Sequence, residues 1–255
     1  MPDKMIYFKR ADSDEERLIC YNIRYEAYLP LDYIEETKGR IRKLRYDDIK
    51  ETKAFLGFVE GRPVGTVSVT LDSALGLPVE QDFPDIVWRV REEYIKQNKI
   101  ICEGHSIMIL PEFQHRGREL SAGLARIAFR QAYLDNANYM CIGLVPEHVE
   151  IWRKWYGFDR ISDFKTYETL NSITSCVVGA DLDLLKQRTN LKIYDYLFTE
   201  EAQNIVNEDL RKAVVNLWLT YIFLTFNSLI SSISWPLTSL LFRFQSFIAF
   251  VVNKQ

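Results

Sequence analysis

Ile101-Cys102-Glu103-Gly104-His105-Ser106-Ile107-Met108-Ile109-Leu110-Pro111-Glu112-Phe113-Gln114-His115-Arg116-Gly117 is the stretch that decides how this chain folds. Its first part is apolar enough for a central strand and ends at a proline, which cannot donate to a sheet ladder. Residues 117–136 then place Leu120, Leu124, Ile127, Ala128 and Gln131 along one helical face. A buried strand, a proline, a basic turn and a helix together make an anion cradle. Backbone N–H groups at the helix N-terminus, backed by Arg116 and Arg118, would face a phosphate. A plain strand–turn–helix accounts for the same residues when nothing else agrees with the cradle. Within the strand, Glu103 stands out, because a carboxylate among apolar neighbours costs free energy and needs a reason.

Upstream, Ser13-Asp14-Glu15-Glu16 gives an acidic first turn to a helix running to about Tyr28, before Pro30. Residues 31–53 are charged and poorly periodic and read as a long, mobile connection. Residues 54–60 and 63–71 flank Glu60-Gly61-Arg62-Pro63 and predict a hairpin. Residues 85–97 read as a helix. Downstream come a short apolar strand (139–145), a helix (147–156), a Gly157-Phe158 turn and two more strand-like runs to about Gly179. A leading helix followed by β-β-α-β-α-β-α-β indicates one α/β or α+β domain.

Of the 255 residues, 47% are hydrophobic and 26% charged, which excludes a disordered or fibrous chain. The net charge of −3 leaves no basic excess for a phosphate backbone, so no nucleic-acid partner is expected. Cys20, Cys102, Cys141 and Cys176 are scattered, without clustered ligands, so neither a disulfide scaffold nor a metal site is expected. The N-terminus is too charged for a signal peptide, and the body reads as cytosolic.

After Lys212 there is no Asp or Glu, and only Arg243 and Lys254 are basic. From Ala213 to Phe242 about 30 residues pass without a charge, where about 20 cross a bilayer. Residues 200–255 therefore read as a helical segment associated with a membrane, beside a body of residues 1–199. An oligomerisation or core-covering helical pair is the alternative.

The central stretch resembles the acyl-donor loop of the GNAT N-acyltransferases, Q-x-x-G-x-G/A after V-x-P-E-[FY]. Val145-Pro146-Glu147-His148 with Trp155-Tyr156-Gly157-Phe158 is similar to that superfamily's fifth strand, fourth helix and closing Gly-Phe. The resemblance implies a GNAT fold, with a mixed central sheet in which two neighbouring parallel strands splay apart. The pantetheine arm of the donor would lie in that gap. Arg24-Tyr25-Glu26-Ala27-Tyr28, Tyr46-Asp47-Asp48, Gly65-Thr66-Val67 and Glu103 are similar to the front half of the long-chain N-acyl amino acid synthases and, more distantly, the acyl-homoserine-lactone synthases.

That resemblance implies roles for single residues. Glu103 matches the strand glutamate that assists deprotonation of the amine, and Tyr156 would protonate the departing thiolate. Arg24, Tyr28 and Asp48 would shape the amine-substrate end. Ile109, Gln114, Arg116, Gly117 and Arg118 would hold the acyl donor. The residues alone leave plainer readings open: Arg24 as a salt-bridge partner, Asp47 and Asp48 as solvated loop charges, His105 as a satisfied core histidine. Ser106 stands where the lactone synthases have Arg. Glu119 closes the loop motif where coenzyme A users keep Gly or Ala, which favours a donor with a single phosphate.

The expected activity is transfer of a fatty acyl group from acyl-ACP or acyl-CoA, as co-substrate, to a small-molecule amine such as an amino acid. No permanently bound cofactor is implied. Acyl carrier protein and a membrane are the expected partners. A short-chain acetyltransferase and a non-catalytic acyl- or ACP-binding sensor are the rivals.

Overall fold

The structure is a computed structural model that describes residues 6–187. The expected apolar segment at 200–255, including its proposed membrane contact, lies outside the described residues. Among the described residues no helix is long and apolar enough to cross a membrane.

The chain opens with a strand, β1 (Ile6–Arg10), and not with a helix. It pairs antiparallel with β2 (Thr52–Val59), and Tyr7 stacks on Phe58 at 4.6 Å between centroids. Its charged flanks hid this edge strand in the sequence. Helix α1 (Asp14–Tyr28) starts in a capping box: Ser13 Oγ accepts from the Glu16 N–H, and the Glu16 carboxylate accepts from the Ser13 N–H. β2 and β3 (Arg62–Leu71) form the expected hairpin. Glu60 and Gly61 both adopt positive φ at its tip, the geometry that matches the twist of the strands.

Helix α2 (Pro84–Ile95) precedes β4 (Ile100–Ile109), a 3-10 turn (Pro111–Arg116) and α3 (Gly117–Leu134). After β5 (Ala137–Leu144) comes α4 (Pro146–Ile151), which widens into a π-turn at Trp152–Tyr156. Short strands β6 (Asp159–Arg160) and β7 (Lys165–Tyr167), then β8 (Ile173–Asp181) and α5 (Leu182–Leu185), complete the described chain. The sheet order is β1-β2-β3-β4-β5-β8-β6, with β7 also on β8. Among the described residues only β4 and β5 run parallel.

The two faces of the sheet carry different chemistry. Val67 and Val69 of β3, Cys102 of β4 and Met140 and Ile142 of β5 pack with Leu120, Leu124 and Phe129 of α3 into the main apolar core. On this side a Cβ at Gly123 would run into the Phe8 ring, so only glycine lets β1 and α3 close up. The opposite face carries α1 and α2. There β3 presents Thr66, Ser68 and Thr70, all sealed from solvent, and β4 presents Glu103 and His105. A buried face this polar is unusual, and it is where the candidate site lies. All four cysteines are buried free thiols.

Candidate active site

Three features of β4 build the site. The first is where its pairing with β5 stops. Ile100, Ile101, Cys102 and Glu103 pair with Ala137, Tyr139, Met140 and Cys141; beyond that rung β4 stays paired with β3, and β5 with β8, but not with each other. From Gly104 to Ile109 the β5-facing edge of β4 therefore has no strand partner among the described residues. This is the expected splay.

The second feature is a bulge. Between the rungs Ser68–His105 and Thr66–Met108, β4 carries one residue more than β3, and Ser106 sits at φ 54°. One extra residue turns every later side chain to the other face. Glu103 and His105 thus face the α1 and α2 side, while Ile107 and Ile109 turn back to the core under α3. A non-glycine residue in the left-handed region costs on the order of 1 kcal/mol, a strain typical of functional sites.

The third feature is Glu103 itself, at 1% exposure. Its Oε2 accepts from the Val79 N–H at 2.7 Å. Val79 lies in the first turn of a 3-10 helix (Pro78–Gln81) whose leading N–H groups have no partner within the turn, so Glu103 satisfies one of them. Burial pushes the Glu103 carboxyl up to about 8; the Val79 N–H pulls it down, and the nearby Glu80 charge raises it further. His105 Nε2 meets Thr70 Oγ1 at 2.9 Å, and burial, with the Arg24 charge, lowers its pKa to about 3. It is a neutral, hydrogen-bonded core histidine.

The residues expected at the amine-substrate end are not equally placed. Arg24 is sealed in: Nη1 donates to both oxygens of Asp47 (3.0 and 2.8 Å) and Nη2 donates to Ser68 Oγ at 2.7 Å. The side chains of Arg24 and Asp47 are 0% and 1% exposed, whereas Asp48 is 69% exposed and pairs with Lys43. Asp47, not Asp48, is the acidic partner inside the fold. The reason is the anchoring of the 31–53 connection, which is pinned and not loose. Tyr46 is buried with its hydroxyl donating to the Leu77 carbonyl, Thr37 N–H donates to Tyr25 Oη, and Asn22 donates to the Arg40 carbonyl. Once Tyr46 points inward, Asp47 closes over Arg24 and Asp48 turns out. Tyr28 is buried beside Met108 and Ile34, and burial raises its phenol pKa.

Tyr156 lies in the aromatic core, stacked on Trp152 at 4.5 Å and on Phe129 at 6.2 Å. In the donor turn, Gln114 and Arg116 lie in the 3-10 helix that feeds α3, and a Cβ at Gly117 would meet nothing within 4 Å. Arg116 Nη2 donates to Glu119 at 2.7 Å, and Arg118 sits over the Trp155 ring at 5.6 Å. Glu119 thus offsets the charge of Arg116.

Sequence reasoning missed Val79, Arg42 and Tyr167, which adjoin the site, and the polar stripe of β3. The stripe had a signal: Thr66, Ser68 and Thr70 alternate with valines at a strand's period, which places three hydroxyls on one face.

Residues 19–180 match the family model of the N-acyl amino acid synthase FeeM, which is well over half of the chain. The chain belongs to this family. It is an N-acyltransferase and, as such, consumes an activated acyl donor as co-substrate. Among solved structures, FeeM, an N-acyl amino acid synthase from uncultured soil microbes, superposes with a TM-score of 0.63 at 17% identity, covering 76% of this chain and 99% of FeeM. BjaI, a CoA-dependent acyl-homoserine lactone synthase, gives 0.53 at 15% identity over 74% of this chain and 90% of its own. The lactone synthase LasI gives 0.54 at 12% identity over 77% and 98%. These likenesses show the fold: an α/β, GNAT-like architecture around a mixed, open sheet. No curated protein sequence matches the chain.

Proposed function

We propose that the protein transfers a fatty acyl group from acyl-ACP or acyl-CoA to the amine of an amino acid or a similar small amine. Glu103 carries this reading. It is the one carboxylate on the buried polar face placed at the mouth of the splay, with a pKa of about 8 that suits it to exchange protons near neutral pH. An ammonium cannot attack a thioester. Ionised Glu103, directly or through water, takes a proton from the nitrogen; the nitrogen lone pair forms the C–N bond; the C–S bond breaks. The departing thiolate, with a thiol pKa of about 8.5, leaves without needing a strong acid, so Tyr156 is not required for that step. Backbone N–H groups on the freed edge of β4 stabilise the oxyanion, and the pantetheine arm lies along Gly104–Ile109. The 114–118 turn holds the donor phosphate, with acyl carrier protein the favoured donor because Glu119 reduces the charge available to a diphosphate. Arg24 with Asp47 acts as a rigid brace behind the acceptor end.

Residues 1–199 form the catalytic domain in this reading, and residues 200–255 tether it to a membrane where a lipid-like product dissolves. The test is mass spectrometry of lipids extracted from cells expressing the full chain or its Glu103→Gln variant. New fatty acyl amides only with Glu103 support the reading. Their absence from both strains, with the protein folded, rejects it.

A further inference from the structure

Beside the buried polar face lies a second cation, and its circumstances differ from those of Arg24. Arg42 is half-buried on the connection between α1 and β2. Its guanidinium lies over the Tyr28 ring, 5.2 Å from the centroid, and Nη2 donates to the Thr169 carbonyl at 3.2 Å. Among the described residues it forms no ion pair. Arg24 spends its charge on Asp47; Arg42 has only a ring and a neutral carbonyl. Burial lowers the Arg42 pKa and the Arg24 charge lowers it further, against upward pulls from Tyr28, Tyr167 and the Asp47 charge.

The position is held from both sides. Thr169 is fixed by Asp82, which accepts from its N–H and, at 2.8 Å, from its hydroxyl. Tyr28, beneath the guanidinium, packs against Met108, two residues beyond the left-handed Ser106. Tyr167 completes the link: its ring flanks Gly143, two residues beyond the Glu103–Cys141 rung, and packs on the cluster that holds Val79, whose N–H donates to Glu103. Glu103 and Arg42 therefore belong to one neighbourhood, linked through Val79, Tyr167 and Thr169. Burying an uncompensated guanidinium is costly unless a ligand supplies the anion, and guanidinium matches a carboxylate through paired N–H donors.

We infer that Arg42 binds the carboxylate of the acceptor, so that the enzyme acts on amino acids as amino carboxylates, with the amine directed to Glu103 and the acid to Arg42. This rests on the acyl-transfer reading above and adds the recognition of the acid group to it.

The experiment uses the purified full chain with a long-chain acyl thioester, and compares amino acids with their own carboxamides as acceptors. Wild type is expected to favour the acid over its amide by about 30-fold or more, in keeping with a charged hydrogen-bonded pair. Arg42→Gln should collapse that ratio to about threefold or less, mainly through KM for the acid, and Arg42→Lys should restore part of it. Guanidinium ion added to Arg42→Ala should recover activity on the acid but not on the amide. These ratios are internal to each protein, so partial unfolding scales both activities and leaves them intact. A ratio unchanged in Arg42→Gln, or a wild type that accepts amide and acid equally, overturns the inference and leaves acyl transfer standing. Transfer to no acceptor overturns acyl transfer and the inference with it.

Discussion

Glu103 and Cys141 form the last rung between β4 and β5, and the two strands part immediately beyond it. A buried carboxyl therefore sits where the sheet stops being a sheet. Deep in a closed ladder Glu103 would only weaken the core, and on an open edge water would hold its pKa near that of an ordinary carboxylate. At this rung it is dry enough to be protonated near neutrality and close enough to an opening to meet a substrate.

Between about pH 4.5 and pH 8 the native protein holds a proton on Glu103 that the unfolded chain has released. Its folded pKa is raised, so its contribution to stability is full below the unfolded pKa and is lost as pH rises through the folded one. This site alone lowers stability by about 1.4 kcal/mol per pH unit across that window. Denaturant unfolding at pH 5, 6.5 and 8 should show Glu103→Gln gaining on wild type as pH increases.

Asp47 and Asp48 are adjacent but not equivalent. Asp47→Ala strands a fully buried Arg24 and should cost about 3–5 kcal/mol, whereas Asp48→Ala should stay within about 0.5 kcal/mol. Replacing Arg24 and Asp47 together by Met and Leu should recover much of the first loss. Chemical denaturation of the three variants beside wild type checks this.

Glu119 holds Arg116, and under the proposed reading its carboxylate would oppose a donor diphosphate at the 114–118 turn. Glu119→Ala should lower KM for acyl-CoA several-fold and change KM for acyl-ACP little, measured by steady-state transfer with one acyl chain on both carriers.

The strand–turn–helix at 100–134 was legible because a continuous apolar run gives way to a 3.6-residue period with a proline between them. Glu103 was legible as a charge out of place. β1 was not, since Ile6–Arg10 is a short edge strand whose pairing depends on β2, more than forty residues away in sequence. The bulge was hidden because Ser106, not glycine, takes the left-handed position. The choice between Asp47 and Asp48 and the placing of Arg42 depend on Tyr46, Thr37 and Arg40 pinning an irregular connection. No periodicity announces such anchors.

The most direct test of the central claim is the pH dependence of kcat/KM for acyl transfer, wild type beside Glu103→Gln. The wild-type profile should carry a limb that rises with pH and levels off near pH 8. That limb should vanish in Glu103→Gln, with the rate down by about 100-fold or more. The acceptor ammonium adds the same titration to both proteins, so the difference between the profiles belongs to Glu103. Superimposable profiles, with rates within a few-fold of each other, would contradict the assignment of Glu103 as the base.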